Sequence, residues 1–406
     1  TERSASYNHY YMSSYDPSSM EYKITRIGDE QSTALTNDGS RNGDRKMYFQ
    51  AILDYNRIFK EVHDLNIMFL YNQEQYDING PTTLFSSLPQ RKQGVAGRVS
   101  YSYDGRYYIE GNFGYNGSEN FAKGKRFGFF PSLAVGWLIS EEPFMDKFRN
   151  TLSKLKLRGS IGKVGNDDIG GRRFAYMTTL KTDADTYHWG DTGQIGRTGI
   201  SEGEVGVGNL TWETALKMNL GFELGLWNEL DMQVDVFREK RTNIFMQRKV
   251  IPSQTGFLTN PWANFGEVTN RGVEVSLNYN KQINDDWFVG FRSNFTYAIN
   301  KVDEYDEPES VIGTYRGLTG RSLNTLWGLQ AERLFEASDF DENGNLKFGI
   351  PTQEVGSSNV RPGDIKYVDM NGDGVITDAD EGFIGGTVDP RIVYGFGGNI
   401  NYKNWD

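Results

Sequence analysis

"TALKMNLGFELGLW", residues 214–227, decides the fold. Leu216, Met218, Leu220, Phe222, Leu224 and Leu226 alternate without a fault with Ala215, Lys217, Asn219, Gly221, Glu223 and Gly225. A period of two sets the apolar side chains on one face of a β-strand, whereas an amphipathic helix needs apolar spacing near 3.6. The same alternation recurs on the C-terminal side in Leu230–Val236, Val273–Tyr279, Val289–Ile299 and Ile392–Tyr402. On the N-terminal side it recurs at Phe49–Tyr55, Leu65–Tyr71, Val95–Tyr103, Tyr107–Tyr115, Leu133–Ile139 and Leu155–Ile161. About eleven strands fit this template, and only "EEPFMDKFRNTL" (141–152) has any helical periodicity.

Two β-architectures share such a pattern: a soluble sandwich or propeller, and a transmembrane barrel. Soluble strands average about five to six residues, while a tilted strand needs about 9–11 to cross a bilayer. The segments here reach the longer figure. Tight turns at "FKEV", "YDGR", "WNEL" and "KQINDD", with the modest "SEEPFMDKFRNTLSK", alternate with long links, among them 163–211, 243–268 and 301–391. Short periplasmic turns and long extracellular loops are the habit of outer-membrane barrels, and a sandwich has no reason to keep that rhythm. Tyr103, Tyr115, Tyr279 and Tyr402 near strand ends suit an interfacial girdle. The expected fold is therefore all-β, a transmembrane antiparallel β-barrel. Lys217, Glu223, Asp231, Asp235, Glu274, Arg292 and Asn294 are then expected to face a wet lumen. A closed barrel leaves no sheet edge, so the chain reads as an internal section of a larger one, with 1–46 a loop or incoming strand region and 47–406 the barrel section.

Composition narrows the chemistry. The 406 residues hold no cysteine and three histidines, so a metal site must use oxygen or imidazole donors. A net charge of −11 without a basic stripe argues against nucleic acid. No run of 18 apolar residues forms a transmembrane helix, which leaves a barrel untouched. His9, His63 and His188 fall in unrelated contexts, and no nucleophile, zinc or phosphate-loop motif appears, so an enzyme is not expected.

"DMNGDGVITDAD", residues 369–380, has calcium-loop spacing: Asp369, Asn371, Asp373, the carbonyl of Val375, Thr377 and Asp380 at positions 1, 3, 5, 7, 9 and 12, with Gly374 at the turn. "EGFIGGTVDPR" follows and cannot make the exiting helix of a sensor, so the expected role is a structural calcium ion stapling a long extracellular loop. "DFDENGNLKFGI" begins similarly but ends on Ile350, and reads as a turn on Asn343-Gly344. Trp189, Trp262, Tyr315 and Trp327 fall in or beside long loops, where an aromatic face can stack on a sugar ring or simply pack on its own loop.

At "VGNLTWETALKMNLGFELGLWNELDMQVDVFREKRTNIF", "NFGEVTNRGVEVSLNY", the stretch from "RKQGVAGRVSYSYDGRYY" to "EEPFM", and "DIKYVDMNGDGVITDADEGFIGGTVDPRIVYGFGGNINYKNWD", the chain resembles the SusC/RagA-type branch of TonB-dependent outer-membrane transporters. The resemblance implies a barrel of about 22 strands with a plug in its lumen, a SusD-like surface lipoprotein as lid, and energy from the TonB complex. About eleven strands would be half of such a barrel, with the plug and closing strands outside this chain. It implies an importer of a bulky nutrient, an oligosaccharide before a peptide, in the outer membrane of a Gram-negative bacterium. Two other readings stay open: a calcium-ordered adhesion barrel, which would lack a plug and TonB box, and a passive porin, whose lumen would be unplugged.

Overall fold

The computed structural model describes residues 2–4, 9–27, 36–38, 43–79, 84–190, 193, 195–355 and 359–405. Eleven strands form one sheet: β1 (Gly43–Phe59), β2 (His63–Asn79), β3 (Gln90–Tyr103), β4 (Tyr107–Ser118), β5 (Phe127–Leu138), β6 (Leu152–Asn166), β7 (Glu213–Leu226), β8 (Leu230–Gln247), β9 (Trp262–Gln282), β10 (Trp287–Glu304) and β11 (Ile392–Tyr402). Each pairs with its neighbours in sequence, so the order from β1 to β11 is an uninterrupted meander. From β3·β4 to β10·β11 the pairs are antiparallel. All eleven strands exceed the length of an ordinary soluble strand.

Connections alternate as the turn signals indicated. At one end lie 60–62, 104–106, 139–151, 227–229 and 283–286; at the other lie 80–89, 119–126, 167–212, 248–261 and 305–391. The tight turns have local causes. Asp104 and Gly105 both take positive φ (51° and 63°), as do Trp227 and Asn228 (55° and 56°), the left-handed backbone that tight hairpin turns use. The 141–152 segment is short-range helix of the 3₁₀ type, Ile139–Glu141 and Pro143–Phe148. The strands run further into 243–268 than the alternation indicated, leaving 248–261 as the link. Among the described residues of 305–391 no strand belongs to the large sheet, and short pairs take its place: Thr325–Gly328 with Gly382–Thr387, Ala331–Leu334 with Ile365–Tyr367, and the parallel Thr352–Gln353 with Val375–Ile376.

Two compact units divide the chain. The first, Thr1–Tyr48 with Glu74–Arg91, contains the hairpin His9–Asp16/Glu21–Ile27 and the ion pairs Arg45–Asp77 (3.1 Å) and Lys46–Glu74 (2.9 Å). Of the 1–46 region expected as loop or incoming strand, residues 1, 5–8, 28–35 and 39–42 lie outside the described residues. The second unit, Phe49–Gln73 with Lys92–Asp406, carries most of the sheet and the long links.

Where the apolar side chains sit separates barrel from sandwich. Among the described residues the buried hydrophobics are Phe121, Ile169, Val207, Leu210, Trp212, Ala215, Val302, Phe335, Phe340 and Ile376. Only Ala215 and Val302 belong to the eleven-stranded sheet. The alternating apolar face stands open instead: Leu220 is 66% exposed, Val135 51% and Phe396 76%. A soluble sandwich would bury that face against a second sheet. A bilayer buries it in lipid.

Candidate functional site

The opposite, polar face of the sheet is laced with charge. Arg158, Gly221 and Asp235 occupy one register row across β6, β7 and β8. Arg158 Nη2 donates to Asp235 Oδ2 at 2.6 Å, crossing over β7. The crossing requires glycine at 221, since a Cβ there would stand 2.5 Å from Asp235 Oδ1 and 3.2 Å from Arg158 Cζ. Glu223 accepts Lys154 (2.6 Å) and Arg158 (3.3 Å); Arg241 bridges Glu213 (2.8 Å) and Glu239 (2.9 Å), and Lys217 reaches Glu239 at 3.3 Å. Register places Asp231, Glu274, Arg292 and Asn294 on this face as well. Side chains so placed favour water and polar solutes on this side of the wall.

The link 305–391 builds a second polar environment. Trp327 lies opposite Phe383, their rings edge to face at 4.9 Å, and its Nε1 donates to Glu381 at 3.0 Å. Beside them is a cavity of about 610 Å³ lined by Trp327, Phe383, Tyr305, Arg316, Lys249 and Glu307. Glu307 is fixed by the N–H groups of Leu318 (2.9 Å) and Thr319 (2.8 Å). Neighbouring Asp306 is buried and ties the two links together, accepting Arg248 (3.0 Å) and the N–H groups of Val250 (3.0 Å) and Lys249. Burial alone would raise its pKa, but Arg248 and those N–H groups bring it below the ordinary carboxylate value. Tyr315 braces the cavity from behind: its hydroxyl donates to the Ala379 carbonyl at 2.9 Å and its own carbonyl accepts Phe383 N–H at 2.8 Å. Arg316 Nη1 donates to the same Ala379 carbonyl at 3.2 Å.

Of the four aromatic candidates, then, Tyr315 and Trp327 both meet the Glu381–Phe383 stretch, and Tyr315 also holds Ala379 of the 369–380 loop. The other two are elsewhere. Trp262 opens β9 with one face stacked on Phe245 (5.2 Å) and the Arg172 guanidinium 3.7 Å from its ring centroid, packed beside the buried Phe121–Trp212 cluster. Trp189 ends the strand Leu180–Trp189, exposed and edge-on to Tyr187 at 4.7 Å. The alternation signal is silent on Phe383, Tyr305, Glu307 and Lys249, and the acidic run "DEYDEPES" holding Asp306 and Glu307 reads as solvated surface.

In the 369–380 loop the oxygens turn inward on their own backbone. Asp369 accepts the N–H groups of Gly372 (2.6 Å) and Gly374 (2.8 Å), which hold its carboxyl below the usual range, Gly374 most strongly. Asn371 Oδ1 accepts Asp373 N–H and Asp373 Oδ1 accepts Val375 N–H, each at 2.8 Å. Asp380 is 1% exposed and closes the loop, accepting Met370 N–H (2.9 Å), Asn371 N–H (3.3 Å) and Thr377 N–H (2.9 Å). The oxygen-only donor set suits calcium. Among the described residues no group of three or more His, Asp or Glu side chains is gathered closely enough to hold a metal.

The family model described as "TonB dependent receptor-like, beta-barrel" matches residues 1–405. This chain belongs to that family. TonB-dependent receptor SusC of Bacteroides thetaiotaomicron is 30% identical over 325 residues, covering 76% of this chain and 30% of the relative. TonB-dependent receptor P26 of Formosa agariphila is 30% identical over 321 residues, with the same coverage of 76% and 30%. Among solved structures, the RagAB peptide transporter superposes with a TM-score of 0.65 at 19% identity, covering 89% of this chain and 40% of that one. That likeness confirms the fold. The chain thus spans about a third of the length of the curated relatives it matches. As a TonB-dependent receptor β-barrel it is an outer-membrane protein of a Gram-negative bacterium, from a family of transporters and not of enzymes. The open apolar face of the meander meets lipid, and the charged face lines the bore.

Proposed function

We propose that this chain forms about half the wall of a TonB-energised importer of bulky nutrients, closed on the outside by a SusD-like lipoprotein. The likeness to SusC supports the class. Oligosaccharide is the substrate class the loop layer favours, and the Trp327 cavity carries that reading. Trp327, Phe383 and Tyr305 supply aromatic surface, while Arg316, Lys249 and Glu307 supply hydrogen-bonding groups around it. Apolar ring surface framed by a few polar groups suits a pyranose, which has a flat C–H face and hydroxyls at its rim. The 369–380 loop supports the cavity wall through Ala379, and a calcium ion in it would act at a distance by stiffening that wall.

The test is uptake by a deletion strain carrying the full-length receptor or its Trp327→Ala form, on a panel of glycans and peptides. The reading expects one glycan class to lose uptake in the variant while surface levels of receptor stay unchanged. Loss confined to peptides would replace the substrate class, and loss on neither would overturn the assignment of the cavity.

A further inference from the structure

The lipid-facing rows of β8, β9 and β10 change character at one register position. Val236, Val273 and Tyr297 are cross-strand partners; one step further toward the long links, Arg238 opposes Arg271, which opposes Ile299; one step beyond, Lys240 opposes Thr269, which opposes Lys301. These belong to the same faces as Met232, Val234, Val275, Leu277 and Phe295, so the cations stand on the outside of the wall, away from the bore.

Height places the change. On β10 the outer row from Val289 to Ile299 spans ten residues, about 34 Å at about 3.4 Å each. At a tilt of about 40° that is about 26 Å, close to the roughly 25 Å apolar band of outer-membrane barrels. Its far end is marked by the Trp287–Tyr402 ring pair, centroids 4.5 Å apart. The cations therefore begin where the hydrocarbon ends on the long-link side, at headgroup level, where a charge on the outer face costs little.

Six of them, Arg238, Lys240, Arg271, Lys301, Arg321 and Arg391, line a cavity of about 840 Å³, with Asp303 as the carboxylate among the lining residues. Lys240 is paired with Glu267 (2.8 Å) and Lys301 approaches Asp303 (3.9 Å). Arg321 donates to the carbonyls of Gly317 and Thr314, and Arg391 to the Ser322 hydroxyl, contacts that leave both positive charges uncompensated. Arg238 and Arg271 are exposed, and among the described residues neither has an ion-pair partner. Like charges directly opposed across a β-ladder repel, so this arrangement in a chain of net charge −11 calls for an outside anion.

We propose that this cavity is a site on the lipid-facing side of the barrel for the phosphate groups of an outer-leaflet lipid. One guanidinium grips phosphate through two parallel N–H···O bonds, so Arg238 and Arg271 side by side offer two such forks. The apolar rows of Val236, Val273 and Tyr297 run directly away from the cations into the bilayer, so acyl chains on such a headgroup have a surface to lie on. A nutrient in the bore is on the other side of the wall, and the site stands whether or not the barrel imports anything.

The test uses the full-length receptor and its Arg238→Ala/Arg271→Ala and Arg238→Lys/Arg271→Lys forms, extracted in mild detergent. Native mass spectrometry reads the phosphate-bearing lipid retained, and heat-modifiable electrophoretic mobility confirms the fold of each variant. The alanine pair should lose bound lipid several-fold, and the lysine pair, which keeps the charge but not the fork, should lose less. Adding the purified phosphate-bearing lipid should raise the unfolding temperature of the wild type most, of the lysine pair less and of the alanine pair not at all, and its dephosphorylated form should raise none of them. Equal retention in the alanine pair, an equal shift from the dephosphorylated lipid, or full reproduction of the shift by millimolar inorganic phosphate would each overturn the proposal.

Discussion

The meander and the 305–391 link reach order by opposite means. In the meander, backbone pairing runs unbroken for most of each strand, as between Val268–Gln282 of β9 and Phe288–Val302 of β10. Side chains are left free to match two different solvents. In the link, pairings last two to four residues, and buried carboxylates take over. Asp339 holds Arg333 through two bonds (2.6 and 2.7 Å) and Glu336 N–H at 2.8 Å, Asp380 closes its loop, and Asp306 anchors the neighbouring link. The sheet should thus respond to which face is touched, and the link to which acid is lost.

The sharpest contrast lies between adjacent residues of β7. Leu220→Lys puts a charge in hydrocarbon and should cost about 2–4 kcal/mol in lipid, whereas Asn219→Lys, facing the bore, should cost close to nothing. Equilibrium folding of the full-length receptor into vesicles reads both. A smaller loss is expected on the polar face. Asp235→Ala leaves Arg158 with only Glu223, at 3.3 Å; because that partner remains and the Arg158 side chain is 31% exposed to screening water, the cost should be about 1–2 kcal/mol, below the 3–5 of a fully buried pair. Gly221→Ala crowds the same pair and should lower the unfolding temperature alongside it.

In the link, Asp380→Asn should open 369–380 to protease while the sheet's unfolding temperature stays put, with or without calcium, because one carboxylate there serves three N–H groups. Calcium added to chelator-treated protein should slow cleavage within 363–390 only in the wild type. The smallest effect concerns acid. Arg333 first, then Glu336 N–H, hold the Asp339 carboxyl far below its ordinary range. A depressed carboxylate stabilises above its unfolded pKa, about 4, and loses that contribution as pH falls below it. Protease protection of 331–367 should be flat from neutral pH down to about 5 and fall below about 4, and Asp339→Asn should remove that dependence.

The same division explains what the sequence made legible. A period of two over Ala215–Leu226 leaves little choice of fold, and turn chemistry such as Asp104-Gly105 fixes which strands are neighbours. Strand ends beyond the bilayer were harder. Past Val236 and Val273 the outer face meets water and headgroups, so Arg238, Lys240, Thr269 and Arg271 break the alternation while the ladder continues. In the link, the residue types that signal a solvated acid are those buried at 306, 339 and 380, because spacing along the chain says nothing of Arg248 or Arg333 arriving as partners. Trp327 stood out as a loop aromatic, but its cavity depends on Phe383 and Tyr305, which lie on segments distant in sequence.

Nitroxide labels placed one at a time along 215–226 of the full-length receptor in lipid vesicles address the two faces of the meander most directly. Even positions, from 216 to 226, should be relaxed by oxygen dissolved in the bilayer, and odd positions by a water-soluble nickel complex. Even positions shielded from both reagents would mean that the leucines pack against protein, and the wall between lipid and water would not exist.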